Sequence, residues 1–383
     1  MSWQPHAQRL AERVTHPISR WRPIIAAVPR HVFVPRWWNW TSPGSGYGTD
    51  TFTLAEGPAD QTAWLNVAYR DRSLVTQVGS LHADHADPSA QPSGMPTSSA
   101  TLPGLIIQML RHAMIDDGMD VLDVGTGSGY GTAVLATRLG DCHVTSIDVD
   151  SYLTKAATER LDGIGLRPRV VTSDATGPLS GTYDRIVATV SVRPIPASWL
   201  RALRPGGRLV TTIAGTALIL TADKTDDGGA TGRIEWDRAG FMRTRTGPSY
   251  PLGLHPLLEK IRDAKGDHVR TGHYPVINVV EAWELWSTLG ILHPGIEHHY
   301  DKQDSTRTAF MLHSDGSWAR AISQGDDPPV VHQGGPRRLW DLLDTIRTIW
   351  LRDGSLPVYG AQATITPDGT THLSRGRWQA TVA

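Results

Sequence analysis

A run of glycines follows an apolar segment at residues 121–136, VLDVGTGSGYGTAVLA. Asp123 stands just before it, and glycines then recur at every second position, beginning with Gly125, Gly127 and Gly129. Glycines after a parallel strand permit a sharp turn and let a ligand approach backbone that a Cβ would shield. An acid in front of them repels a pyrophosphate but attracts an ammonium or sulfonium cation. The pattern therefore predicts a nucleotide-like ligand that carries positive charge.

Two further acids stand at the ends of the next predicted strands. Asp148, in SIDVD, follows Gly129 by nineteen residues, where its carboxylate can accept hydrogen bonds from both hydroxyls of a ribose. Asp174, in TSDAT, follows the third strand and can accept from an adenine amino group. Together with Asp123, these acids describe a site for S-adenosylmethionine. For any one acid, the alternative that it caps the following helix stays open.

Two other nucleotide patterns are absent from the glycine run. The dinucleotide fingerprint Gly-x-Gly-x-x-Gly fails because Tyr130 stands where the third glycine belongs, and in the next frame Thr132 does. The phosphate-binding pattern Gly-x-x-x-x-Gly-Lys-Ser/Thr also fails, since Tyr130 lies five residues after Gly125 and no lysine follows. NAD and nucleoside triphosphates are therefore disfavoured as ligands.

The elements around these residues alternate between strands and helices. Strands are predicted at Asp120–Val124, His143–Asp148, Arg169–Thr172, Tyr183–Thr189 and Arg208–Ile213, and helices at Leu102–Met114, Tyr130–Leu139, Ser151–Leu161 and Pro196–Ala202. Such alternation is typical of a parallel sheet with helices on both faces. We therefore predict an α/β fold built on a doubly wound, Rossmann-like methyltransferase sheet.

The composition divides the chain into three predicted parts. Residues 1–95 form an N-terminal helical arm and a lid or substrate segment, because 41–100 is rich in Gly, Ser, Pro, Thr and Asp and is interpreted mostly as loop, with one strand at Ser73–Val78. Residues 96–248 form the S-adenosylmethionine-binding core. After the linker-like TGPSYPLG, residues 249–383 form a C-terminal α+β domain.

Charge and cysteine content narrow the class of protein. The formal net charge is −1, so no basic field points to nucleic acid. No apolar run approaches the ~18–20 residues of a membrane span. Cys142 is the only cysteine, which excludes an internal disulfide and a cysteine-based zinc site and fits a reducing compartment. We therefore predict a cytoplasmic protein with neither a nucleic-acid nor a membrane partner.

Histidines and tryptophans offer weaker signals. HADHAD at His82–Asp87 has metal-like spacing but no third fixed ligand, so a solvated polar loop is the favoured interpretation and no metal is predicted. The pair His298–His299 is weaker still. The cluster of Trp37, Trp38 and Trp40 could stack on a peptide or pack against the N-terminal arm.

Three stretches give the sequence a family resemblance. They are VPRHVFVP at 28–35, TSSATLPGLIIQML at 97–110 and VLDVGTGSGYGTAVLATRLG at 121–140. With YDRIVAT and LRPGGRLV, they resemble the protein-L-isoaspartate O-methyltransferase family over residues 7–245. In that family a Thr-x-Ser segment lies twenty-four residues before the acid of the glycine motif. Counting back from Asp123 reaches Ser99.

The resemblance implies a site and a cofactor. The Ser99 hydroxyl would hold the substrate carboxyl beside the methyl donor, with Thr97 as its partner in catalysis. S-adenosylmethionine would be bound, and S-adenosylhomocysteine released. The residues implied at the cofactor are Ser99, Asp123, Gly125, Thr126, Gly127, Gly129, Asp148, Val149, Asp174, Ala175 and Thr189.

The sequence also departs from the family. Thr101 replaces a common proline, Ser173–Asp174–Ala175 replaces Gly-Asp-Gly, and the chain continues beyond the end of the repair enzymes. Longer relatives are associated with ribosomal peptide (graspetide or lanthipeptide, RiPP) biosynthesis. That resemblance implies methylation of an aspartate in a modified precursor peptide, followed by aspartimide formation. It also implies that residues 249–383 recognise the peptide substrate and that the protein is coupled to a peptide-modifying ligase or synthetase. A generic isoaspartate repair enzyme and a non-catalytic S-adenosylmethionine-binding scaffold remain as alternatives.

Overall fold

The computed structural model describes residues 2–42, 51–247, 250 and 253–383. Their strands form a central sheet of ten strands and two sheets of five strands, one N-terminal and one C-terminal. Within these described ranges, no helix is long and apolar enough to cross a membrane. The mixed α/β class is confirmed.

The described N-terminal part packs four α-helices and a small sheet against the core. Its elements are α1 (Gln4–Val14), α2 (Trp21–Ala27), β1 (Arg36–Ser42), β2 (Thr51–Glu56), α3 (Gln61–Ala68), β3 (Leu74–Val78), β4 (Leu81–His82), β5 (Pro96–Ala100) and α4 (Pro103–His112). The sheet has the order β2-β1-β3-β4, with β5 also paired to β3. Trp37 is buried in the apolar cluster that α1 and α2 share, so the packing alternative is confirmed for it, whereas Trp40 is 61% exposed.

The prediction that residues 41–100 are mostly loop is wrong for the part of this segment that the structure describes. It contains β2, α3, β3, β4 and β5, and only the predicted strand at 73–78 is confirmed. These strands are short, and β2 buries Phe52 alone. A strand with a single buried side chain gives little alternation to detect. Residues 43–50 of the segment lie outside the described residues.

The core alternates strands and helices as predicted. Its elements are β6 (Val121–Val124), α5 (Tyr130–Leu139), β7 (Val144–Asp148), α6 (Ser151–Gly163), β8 (Arg169–Thr172), β9 (Tyr183–Val192), α7 (Ala197–Ala202), β10 (Leu203–Ile213), β11 (Leu218–Lys224) and β12 (Ala230–Arg238). The strands from β10 through β9, β6 and β7 to β8 are all parallel neighbours. Their carboxyl ends therefore meet at one edge, where ligands bind in sheets of this kind.

The C-terminal part begins as a separate layer. Its elements are α8 (His255–Ile261), β13 (His268–Thr271), α9 (Trp283–Leu292), β14 (Glu297–Gln303), β15 (Thr306–Leu312), β16 (Trp318–Gln324), β17 (Val330–Gly334), α10 (Leu339–Asp353), β18 (Gln362–Ile365), β19 (Thr371–Arg375) and β20 (Trp378–Val382). Antiparallel strands in the order β13-β17-β16-β15-β14 form its sheet. The core of this layer includes Leu285, Leu289, Leu343 and Ile346 from α9 and α10.

The last three strands return to the central sheet. β18 pairs with β12, in the register Ala230↔Ile365, so that β18, β19 and β20 extend the core sheet at one edge. Sequence alone groups 249–383 into one domain, because strand patterns do not say which partner a strand pairs with. In the structure, residues 362–382 share the hydrophobic core of the methyltransferase-like sheet. The predicted boundary at 248 lies outside the described residues.

A buried arginine ties the N-terminal part together. Arg30, in the VPRHVFVP stretch, is 0% exposed and its guanidinium donates to five backbone carbonyls. Three belong to the turn after α3, at Ala68, Arg70 and Arg72, and two end β5, at residues 100 and 101. Burial lowers the pKa of Arg30 to about 10, so it stays charged at neutral pH. One side chain thus fixes two distant segments.

We expect Arg30→Gln to lower the free energy of unfolding by about 3 kcal/mol or more, because it strands several buried carbonyl groups. Arg30→Lys keeps the charge but not the planar fork, and should fall between Gln and the parent. Chemical denaturation measures both. Arg201→Gln, at an exposed position on α7, is the control and should change stability by less than about 0.5 kcal/mol. An Arg30→Gln protein as stable as this control would contradict the assignment.

Candidate functional site

The carboxyl ends of the parallel strands open onto a cavity of about 300 Å³. Its walls come from β5, the glycine turn after β6, the ends of β7, β8 and β9, and a segment that follows β12. Most of the site residues predicted from the sequence line this cavity: Thr97, Ser99, Asp123, Gly125, Thr126, Gly127, Asp148, Val149, Asp174, Ala175 and Thr189. Gly129 is not among the described lining residues and instead precedes α5 as its N-cap.

Two glycines of the turn are required by backbone geometry. Gly125 has φ +98°, and a Cβ there would lie 2.9 Å from Cγ1 of Val190. Gly129 has φ +91°, and its Cβ would lie 3.0 Å from Cβ of Ala157. Left-handed φ values and contacts this short both exclude other residues. The chain can therefore turn sharply at this point and leave the edge of the sheet open.

Asp148 is fixed by backbone amides at the end of β7. Its Oδ2 accepts from the Gly127 amide at 2.9 Å and its Oδ1 from the Asp150 amide at 3.1 Å. Burial raises the pKa of Asp148 even though these amides favour the charged form. The capping alternative is wrong for Asp148, because Asp150 is the residue that caps α6, through the amides of Tyr152 and Leu153. Nor is Asp148 the exposed acid that its place at a strand end suggests.

Asp123 lies deeper in the same edge. It is 4% exposed, and its Oδ2 accepts from the hydroxyls of Thr132 at 2.7 Å and Ser146 at 2.9 Å. Burial outweighs these two hydrogen bonds and raises the pKa of Asp123 to about 6. Asp123 does not cap α5, whose N-cap is Gly129. A buried carboxylate of this kind is stabilised by a cation that enters the cavity.

Asp174 and Thr189 complete the edge. Asp174 Oδ1 accepts from the backbone amide and the hydroxyl of Thr176, at 2.8 and 2.7 Å, which closes a local turn after β8. The next carbonyl, of Ala175, accepts from the Trp199 indole at 2.7 Å and anchors the turn. Thr189 donates to the Gly125 carbonyl at 3.1 Å. No helix begins directly after Asp174, so a helix-capping role is wrong for it as well.

The serines and threonine of β5 differ in their hydroxyl partners. Thr97 donates to the Gly79 carbonyl at 2.6 Å, and Ser98 accepts from Thr76 at 3.0 Å. Ser99 pairs with Val75 through the backbone and also lines the cavity. Its hydroxyl makes no hydrogen bond to the residues that the structure describes. It is thus available to a ligand, whereas the Thr97 hydroxyl is already engaged.

Sequence reasoning missed one wall of the cavity. Residues 239–247, here called the strap, run back over the sheet edge after β12. The Ser191 amide donates to Met242 at 2.8 Å and the Thr244 amide donates to Ser191 at 3.0 Å. Residues 240–245 of the strap line the cavity. Nothing in the letters AGFMRTRTG distinguishes this strap from a linker, so the sequence carried no signal for it.

An ion pair fastens the strap to the core. Arg245 donates to Asp150 at 3.1 Å, and His82 lies 3.3 Å from the same carboxylate. Burial alone would raise the pKa of Asp150, but the hydrogen bonds from His82 and Arg245 outweigh it and hold this pKa well below its usual range. The cap of α6 therefore also anchors one wall of the cavity.

The HADHAD stretch packs against α6 and is not simply a solvated loop. Asp84 accepts from the Tyr152 hydroxyl at 2.8 Å and pairs with Arg160 at 2.5 Å. The ring of His85 stands edge-on to the Tyr152 ring, with centroids 4.3 Å apart. Among the described residues, no group of three His, Cys, Asp or Glu side chains is arranged to hold a metal.

Known proteins are similar to this chain in the region that contains the acids and the glycine turn of the cavity. A sequence model of the family described as Protein-L-isoaspartate(D-aspartate) O-methyltransferase (PCMT) matches residues 68–237. A Protein-L-isoaspartate O-methyltransferase of Bradyrhizobium sp. (strain ORS 278) is 30% identical over 179 residues, which cover 45% of this chain and 79% of the relative. The protein of the same name from Thermococcus onnurineus (strain NA1) is 33% identical over 133 residues, which cover 34% of this chain and 59% of the relative.

Coverage differs between the comparisons. The matched segment covers 59% of the Thermococcus relative, and 63% and 58% of the proteins of the same name from Ignicoccus hospitalis and Hyperthermus butylicus, so the chain spans about six tenths of the length of these three relatives. A solved structure named Protein-L-isoaspartate O-methyltransferase aligns with 97% of this chain and 99% of its own length, at a TM-score of 0.51 and 17% identity. At that identity the likeness concerns the fold alone, and it includes the C-terminal part.

We expect Asp123→Asn to stabilise the ligand-free protein at neutral pH. The folded pKa, about 6, lies above the ordinary value of 3.8, so the stability that Asp123 contributes is present below about pH 4 and is lost as pH rises through 6. Asparagine removes this loss, on the order of 3 kcal/mol at pH 7.5. Thermal denaturation between pH 4 and 8 measures the difference from the parent.

Asp120→Asn is the matched control, because the pKa of Asp120 is shifted in the opposite direction to that of Asp123. Hydrogen bonds from His143 and Arg204 lower the pKa of Asp120, so its contribution is present at neutral pH and is lost as pH falls. That variant should be less stable than the parent at pH 7.5. If Asp123→Asn also loses stability at pH 7.5, the buried carboxylate is not the strained group described above.

Proposed function

The chain belongs to the protein-L-isoaspartate O-methyltransferase family, and on that premise we propose that it transfers a methyl group from S-adenosylmethionine to the carboxylate of an isoaspartyl residue in a protein or peptide. The single observation that carries this proposal is the cavity at the strand ends. It brings Asp123, Asp148 and Asp174 together with the unengaged hydroxyl of Ser99. Three acids and a hydroxyl suit a cationic nucleoside beside an anionic substrate.

The acids match the parts of the cofactor in turn. Asp123, with its raised pKa, gains most from a positive charge nearby and would face the ammonium and sulfonium end. Asp148 would accept from the ribose hydroxyls, since the amides of Gly127 and Asp150 hold its oxygens in place. Asp174 would accept from the adenine amino group. Bound S-adenosylmethionine supplies an electrophilic methyl group.

The residues of the site need to position the substrate more than to activate it. A carboxylate is already an anionic nucleophile at neutral pH, so no histidine or lysine base is required. Ser99 would donate its hydroxyl hydrogen to one carboxylate oxygen and leave the other oxygen directed at the methyl group. The strap covers the sheet edge and would exclude water from the reacting atoms. Orientation and desolvation therefore account for the expected rate.

A second substrate class is supported by differences near the substrate side. Thr101 lines the cavity where the family commonly has a proline, Ala175 lines it where a glycine is common, and the strap joins the core to the C-terminal part. These features fit an aspartate of a modified precursor peptide of RiPP biosynthesis, delivered by a ligase or synthetase, whose ester closes to an aspartimide. The C-terminal part would then bind the peptide. Isoaspartate remains the leading proposal, because a relative named Protein-L-isoaspartate O-methyltransferase is 30% identical over 79% of its own length.

A panel of peptides separates the two substrates. We expect methyl gain on a short isoaspartyl peptide and none on the matching aspartyl peptide. In isoaspartate the chain continues through the side-chain carboxyl group, so the free carboxylate is the one attached to Cα, whereas aspartate has its free carboxylate on the side chain. Mass spectrometry after incubation with S-adenosylmethionine measures both. The opposite pattern, with turnover of a modified precursor followed by loss of methanol and no methylation of isoaspartate, would favour the second class. Methylation of none of the peptides would contradict the enzymatic proposal.

Ser99→Ala tests the division of labour within the cavity. The variant should lose about 1.5–3 kcal/mol of transition-state stabilisation, a drop in kcat/KM of roughly tenfold to a hundredfold, because a hydrogen bond to a charged substrate is removed. Affinity for S-adenosylhomocysteine, measured by calorimetry, should stay within about twofold of the parent and serves as the internal control. Equal losses of turnover and cofactor affinity would mean that Ser99 holds the cofactor and not the substrate.

A further inference from the structure

A second cavity lies between α1 and the end of α3. Its volume is about 210 Å³. Three arginines surround it, Arg9 and Arg13 from α1 and Arg70 from the turn after α3, together with Asn66 and Tyr69. We call this group the basic cleft. It shares no lining residue with the cavity described above.

The charge of the basic cleft is unbalanced. Arg9 and Arg13 are four residues apart on one helix face, where like charges destabilise the helix. Among the described residues, no carboxylate forms an ion pair with Arg9, Arg13 or Arg70. The neighbouring acid, Glu12, accepts a hydrogen bond from Gln8 at 2.8 Å and lies 3.4 Å from Arg22, and it attracts Arg9 through space. The fold therefore places three cations around a concavity, where Glu12 offsets the charge of Arg9 only in part.

The floor of the basic cleft is rigid. Tyr69 is buried, its hydroxyl lies 2.8 Å from Nδ1 of His31, and its ring stacks with that of Trp3 at 6.3 Å between centroids. The carbonyl of Arg70 accepts from the buried Arg30 at 3.1 Å, which fixes the backbone that presents the Arg70 side chain. The cations thus project from a pre-formed surface, which lowers the entropic cost of binding.

We propose that the basic cleft binds an oxyanion, either a carboxylate or a phosphate group. Guanidinium groups present forks of donors that match the paired oxygens of both. The Asn66 amide and the Tyr69 ring bound the space to one such group. Two sources share this chemistry: an acidic side chain of the protein substrate and free inorganic phosphate. The proposal does not depend on methyl transfer, and its first test has no catalytic readout.

Inorganic phosphate is the probe for the site. We expect phosphate to raise the melting temperature of the full chain saturably, above sodium chloride of equal ionic strength. The double variant Arg9→Gln/Arg13→Gln should bind phosphate at least about tenfold more weakly by calorimetry, since each lost charge-assisted hydrogen bond corresponds to about tenfold in affinity. Arg70→Gln, on a different element, should show the same loss and guards against a folding defect of the double variant.

Arg201→Gln is the matched control and should bind phosphate as the parent does. Absence of saturable phosphate binding by the parent, or equal binding by the parent and both cleft variants, would overturn the proposal. A kinetic arm identifies the source. If the anion belongs to the substrate, the cleft variants raise KM for an isoaspartyl peptide flanked by glutamates and leave a glutamine-flanked peptide unchanged. If it is free phosphate, the two peptides respond alike while phosphate binding is still lost.

Discussion

The buried guanidinium of Arg30 links the two segments that shape the substrate side of the site. It donates to carbonyls of the turn after α3 and to those of Ala100 and Thr101. Ser99 precedes these last two residues, so its position relative to the glycine turn depends on an arginine nearly seventy residues earlier. A buried charge is tolerated only when many dipoles solvate it. Here the carbonyls of two otherwise irregular turns supply them, and the same bonds order those turns.

The electrostatics of the cavity depend on a separate set of contacts, made by the acids of the sheet edge. Asp123, Asp148 and the neighbouring cap residue Asp150 each have different partners: hydroxyls for Asp123, backbone amides for Asp148, and the cations Arg245 and His82 for Asp150. Arg245 and His82 compensate the negative charge of Asp150, so this carboxylate has a structural role. Asp123 and Asp148 have raised pKa values, so both are poorly compensated in the ligand-free protein. A bound cationic nucleoside would stabilise both carboxylates. The energetic cost of burying these charges in the ligand-free protein would therefore contribute to the affinity of the site for the ligand.

Much of the core was predictable from the sequence because its signals are local. Strand–helix alternation and the spacing of glycines and acids around Asp123 identify the sheet and its functional edge. The strap was not predictable, since the backbone bonds of Ser191 to residues 242 and 244 join segments that no local pattern connects. The pairing of β18 with β12 could not be predicted for the same reason. In the N-terminal sheet, β2 buries a single side chain and β5 does not alternate between buried and exposed residues, so neither strand has a clear period of two and composition suggested a loop.

A crystal structure of the full chain with S-adenosylhomocysteine would show whether the acids at successive strand ends form one cofactor site. We expect the ribose hydroxyls to lie within hydrogen-bond distance of Asp148, the adenine amino group to face Asp174, and the amino acid end to lie toward Asp123. A ligand bound elsewhere, or bound in this cavity with its ribose away from Asp148, would contradict this expectation.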